Sequence, residues 1–158
     1  MKEGSIMIGL RFTSYSSIKE ILKHIIDEPF YSNKVWCKSR YYSLNGNKDY
    51  FIRFLLPEKM KSVIFTMPDS EICDNCCFFL LESIPEKNQI FPATMQDYLV
   101  SDYLSAFICT DSNEYDIYIK NTDAIIDLRK TLLSQGLCVP EKIEYIMTET
   151  DDRYGFGI

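Results

Sequence analysis

The chain has 158 residues, 46% of them hydrophobic and 14% aromatic, enough apolar matter for one core and too much for a disordered chain. Its net charge is −6, from 17 Lys and Arg against 23 Asp and Glu, which disfavours nucleic acid as a partner, and no apolar run approaches the ~18 residues of a membrane span. The opening "MKEGSIMIGLRF" is too short in apolar residues for a signal peptide, so the expectation is a cytoplasmic protein, away from membranes, with its six cysteines as free thiols.

In chain order, Ile6 to Phe12 reads as a short strand, and "SSIKEILKHIIDEP" after it as an amphipathic helix. Ser17 and Glu20 have capping-box spacing, Ile18, Ile21, Leu22, Ile25 and Ile26 form one stripe, and Pro29 marks the exit. "VWCKSRYYSL" and "DYFIRFLL" flank Asn45-Gly46 and predict a hairpin, because Asn-Gly accepts the positive φ of a tight turn. "KSVIFTM" and "CCFFLLESI" are predicted as two more strands joined by the polar turn "PDSEICDN". "TMQDYLVSDY" is a candidate short helix, and "LSAFICT" with "YDIYIKN" predicts a second hairpin. There Tyr115, Ile117 and Ile119 alternate with Asp116, Tyr118 and Lys120. "NTDAIIDLRKTLLSQG" predicts a helix capped by Asn121 or Thr122, with Gly136 just past its end, and "KIEYIMTE" a last strand.

This order predicts a single α+β domain over 1–158, with residues 150–158 as a C-terminal tail. The sheet is mainly antiparallel, with about seven to eight short strands and two hairpins, and two main helices plus the short third pack on it.

Familiar catalytic apparatus is missing from the sequence. The one histidine, His24, falls about 130° from the centre of its helix's apolar stripe, a solvated place rather than a pocket for a general base. The six glycines form neither a dinucleotide fingerprint nor a P-loop. Lys34, Lys38, Arg40, Lys48 and Arg53 interleave with Trp36, Tyr41, Tyr42 and Tyr50 as in a single-strand-binding sheet, but one core face and one wet face explain the same pattern.

"SEICDNCCFF" holds Cys73, Cys76 and Cys77. A structural zinc site takes two close pairs of ligands, and only Cys73-x2-Cys76 is present, with Cys37, Cys109, Cys138 and His24 scattered. A redox Cys-x-x-Cys would open a helix, whereas this one opens an apolar strand. The cysteines are therefore read as packing residues, and no catalytic residue, metal or cofactor is assigned.

Residues 1–62 carry 11 Lys and Arg against 6 acids, and residues 63–158 carry 6 against 17. Within the acidic part, "TDSNEYDIY" (Asp111, Glu114, Tyr115, Asp116, Tyr118) and "TETDDRYGFGI" (Glu149, Asp151, Asp152, Tyr154) set carboxylates beside tyrosines. Tyrosine gives interface area at low entropic cost and complementary charge selects the partner, so these residues are the candidate partner-binding set, for a basic protein. In size, charge and general character the chain resembles the small acidic immunity proteins of bacterial polymorphic toxin systems. That resemblance implies a non-enzymatic, immunity-type inhibitor that binds and neutralises a basic toxin or nuclease domain. The alternatives are a non-catalytic adaptor or scaffold, bacterial or viral, and a small enzyme or metalloprotein without standard motifs.

Overall fold

A computed structural model of the chain describes residues 5–44, 47–66, 77–87, 92, 94–111, 113–149 and 151, with the side chains of 39–44, 47–53 and 111 left undescribed. The turn predicted at Asn45-Gly46, most of "PDSEICDN" with Cys73 and Cys76, and the tail from Asp152 lie outside the described residues.

Among the described residues, seven strands form one antiparallel sheet: β1 (Met7–Thr13), β2 (Val35–Leu44), β3 (Asn47–Leu55), β4 (Cys77–Leu81), β5 (Ser105–Asp111), β6 (Glu114–Ile119) and β7 (Ile143–Met147). Their spatial order is β3-β2-β4-β5-β6-β1-β7, so both predicted hairpins, β2–β3 and β5–β6, are neighbours in the sheet. The first strand is not at an edge; it lies between β6 and β7. Its pairing with β6 needs Gly9, because a Cβ there would run into the carbonyl oxygen of Ile117. A bulge between Met7 and Gly9 adjusts the pairing on the β7 side.

Helix α1 (Ile18–Ile26) starts where the capping spacing predicts: the Ser17 hydroxyl accepts the Glu20 N–H at 3.2 Å. Ile18, Ile21, Leu22 and Ile25 are buried, and Pro29 opens a single 3-10 turn, Pro29–Tyr31. A short helix, α3 (Met95–Val100), is capped by Thr94. Helix α4 (Thr122–Ser134) begins at Asn121, whose side-chain oxygen accepts the Ala124 N–H at 2.9 Å. It ends at Gly136, φ +65°, with Leu137 N–H donating to Leu132 O and Gly136 N–H to Leu133 O. These paired bonds close the helix and need the left-handed backbone that glycine adopts freely.

One predicted element is overturned. "KSVIFTM" is not a strand: residues Pro57–Thr66 form helix α2, with Met60, Val63 and Ile64 buried and Lys61, Ser62 and Phe65 exposed. The buried positions follow a period near 3.6, and Pro57 supplies the fixed φ suited to a first helical turn. The β-branched and aromatic residues at 63–65 favour a strand locally, but burial of one stripe decides the outcome.

Helices α1, α2 and α4 cover one face of the sheet, over Leu10, Phe12, Trp36, Leu55, Phe78, Phe107, Tyr115 and Ile117. Phe12 and Tyr115 stack at 5.2 Å, and Trp36 stacks on Tyr31 at 5.4 Å. A second core lies on the opposite face, formed by Ile8, Val35, Cys37, Phe79, Ala106, Ile108 and Tyr118 with Tyr98 of α3 and Tyr103.

Candidate functional site

Alternation along β1 sends Leu10 and Phe12 into the helix-covered core and turns Arg11 and Thr13 to the other face. Asp116 on β6 lies directly across from Arg11, and the two side chains meet in a bidentate pair, Nε to Oδ1 at 2.8 Å and Nη2 to Oδ2 at 3.2 Å. Asp151 approaches from beyond β7: its Oδ1 lies 3.9 Å from Arg11 Nη2 and accepts the Tyr118 hydroxyl at 3.1 Å. The side chain of Arg11 is 30% exposed, and those of Asp116 and Asp151 are each 5% exposed. One arginine thus serves two buried carboxylates.

The acidic segments therefore do meet, but not as an open surface. Of the candidate residues, Asp116, Tyr118 and Asp151 come together inside, and Tyr115 is on the other face, 1% exposed in the Phe12 stack. The expectation that Tyr115, Asp116 and Tyr118 present a binding surface is thus corrected. β6 is an interior strand with a core on each face, so its alternation separates two cores rather than core from solvent. Glu114 and Glu149 are exposed. Asp111 lies on β5 with its side chain undescribed, and Asp152 and Tyr154 are outside the described residues.

Three exposed carboxylates meet at the β7 edge. A cleft of about 340 Å³ is lined by Glu114, Glu141 and Glu144 together with Arg11, Thr13 and Lys142. Thr13 donates its hydroxyl to both carboxylate oxygens of Glu114, at 3.0 and 3.1 Å, fixing that side chain at the rim. Arg11 is engaged by Asp116, so the rim's three glutamates face the cleft with Lys142 as the other cation lining it. Sequence reasoning passed over Arg11, Glu141 and Glu144; the signal for the first was a lone arginine inside the apolar strand "MIGLRFT". Strand order carries the charge asymmetry of the sequence into space. Residues 35–66, which form β2, β3 and α2 at one edge, hold six Lys and Arg against two acids. Residues 105–149, which form β5, β6, α4 and β7, hold four against eight.

The titratable groups elsewhere serve structure. Tyr31 donates its hydroxyl to Ser105 Oγ at 2.7 Å, and Ser105 donates to Tyr118 O at 2.7 Å. Burial holds Tyr31 well above the usual phenol range, the Ser105 bond opposing this in part. Cys37 and Cys77 are buried in the second core and Cys138 in the first, and burial pushes the Cys37 thiol up to about 12. Such a thiol is a packing group, not a nucleophile. Nδ1 of His24 lies 2.9 Å from Glu20 O, in its own helix. Among the described residues, no three His, Cys, Asp or Glu side chains are grouped to hold a metal ion, and no helix is long and apolar enough to cross a membrane.

Compared with family models, curated proteins and solved structures, the chain matches none.

Proposed function

We propose that the chain is a non-catalytic protein-binding module, an immunity-type inhibitor that binds and neutralises a basic toxin domain. The observation that supports this most is the separation of charge across the sheet, with Glu114, Glu141 and Glu144 exposed around the cleft at the β7 edge and the lysine-rich segment at the opposite edge. A one-sided acidic edge steers a basic partner into a single orientation and speeds its association. The Arg11–Asp116–Asp151 cluster holds that edge in shape from beneath.

The test is rescue. Cells expressing the product of the neighbouring reading frame are co-transformed with this chain, and survival is scored alongside co-purification of the two proteins. The expected result is survival with a stable complex, whose association rate falls steeply between low and high salt because surface charge is screened within about 10 Å at 0.1 M. Continued toxicity in cells that express both proteins well overturns the reading.

A further inference from the structure

We propose that the outer edge of β7 is a docking strip on which an extended segment of the basic partner adds as one more strand, with apolar and basic residues alternating along it. This rests on the reading of the chain as a binder of a basic protein.

β7 ends the sheet, and among the described residues its strand neighbour is β1 alone. The ladder fixes which peptide groups are spoken for. Thr13 N–H donates to Lys142 O at 3.0 Å before the strand, and Thr148 N–H donates to Ile6 O at 2.8 Å after it. Even-numbered residues therefore turn their peptide groups towards β1, and Ile143 and Tyr145 turn theirs outward. The strip ends at Met147, whose carbonyl accepts the Asp151 N–H at 3.0 Å. Outward N–H and C=O groups on an edge strand are a template for another strand.

The side chains select the occupant. Ile143 and Tyr145 pack partly buried against the helix-covered core, with the Arg129 guanidinium 5.5 Å from the Tyr145 ring. Glu144 lies exposed on the opposite face, beside Glu114 and Glu141. A strand that adds antiparallel and bonds to Ile143 and Tyr145 directs the side chains of those bonded residues to the Tyr145 side, where apolar groups fit. Its alternate residues fall on the glutamate side, where Lys or Arg fit. A second copy of β7 is the wrong occupant, because a symmetric pairing sets this acidic strip against itself.

The probe is an alternating Lys-Val hexapeptide, capped at both ends, titrated at low salt into the full chain while backbone amides are followed by NMR hydrogen exchange. The expected result is binding with new protection at the Ile143 and Tyr145 amides. N-methylation of the valines should weaken binding at least tenfold, since those residues face β7, and N-methylation of the lysines should leave it nearly unchanged. Glu144→Gln, an exposed change that leaves the fold intact, should weaken binding about threefold. Equal binding of the two N-methylated peptides, or binding without protection at Ile143 and Tyr145, overturns docking on the edge. Absence of any binding by the hexapeptide at low salt also overturns it. Rescue of toxicity is scored separately, so a neutralising protein whose β7 amides stay unprotected loses this inference and keeps its function.

Discussion

Both faces of the sheet carry an apolar core, and β1 shows where they differ. Leu10 faces three helices over an apolar core, where burial and dispersion do the holding and the loss of a side chain has a graded cost. Arg11, its neighbour, faces the other side, where its guanidinium meets two buried carboxylates and one of these accepts the Tyr118 hydroxyl. Buried ion pairs contribute little net stability when intact, yet removing one partner strands the other. The helix-covered face is therefore tolerant, and the polar cluster on the opposite, otherwise apolar face is brittle.

Arg11→Met breaks the comparison most directly. It takes the guanidinium away from the buried carboxylates of Asp116 and Asp151, and the expected loss is about 3–5 kcal/mol in urea unfolding, with the β7 edge loosening first. A loss under about 1 kcal/mol would mean that water already solvates the pair, and the faces would not differ. Leu10→Ala, one residue away on the other face, should cost about 3 kcal/mol by the transfer and cavity terms. Its effect should not change with salt, whereas that of Arg11→Met should.

The same contrast explains what the sequence made legible. Helices α1 and α4 carry their boundaries in Ser17, Asn121 and Gly136, and all seven strands read in the sequence as apolar runs or alternations. Even β7 was visible. Helix α2 was not, because Val63, Ile64 and Phe65 imitate a strand and only the burial of Met60, Val63 and Ile64 against α1 and the sheet reveals the helical period. The candidate site was legible in composition and not in exposure. Asp116 and Tyr118 look like a wet face until strand order puts β6 between β5 and β1, and the bond that joins Tyr118 to Asp151 spans 33 residues. No local pattern predicts which of two long-range partners an arginine will take.

Asp151→Asn sharpens the description of the polar face. The amide oxygen still accepts from Tyr118 while the charge facing Arg11 is lost, and the expected cost is about 1 kcal/mol. A cost comparable to that of Arg11→Met would make Asp151, rather than Asp116, the main partner of the guanidinium.

Alkaline pH tests how well the second core keeps water out. Cys37 sits in the second core with its thiol raised by burial from an ordinary 9.0 to about 12. A folded value above the unfolded one means that the unfolded chain releases the proton first. The stabilising contribution is thus whole below pH 9 and is lost as pH climbs towards 12, with a slope of at most about 1.4 kcal/mol per pH unit. Burial raises Cys138 in the helix-covered core in the same direction, and Tyr31 joins only above its ordinary value of 10.0. Urea midpoints measured from pH 8 to 10 should therefore fall in the natural chain and fall less in Cys37→Ala, the difference opening above pH 9. Parallel pH profiles for the two proteins would show that Cys37 meets water and that the second core is looser than its packing implies.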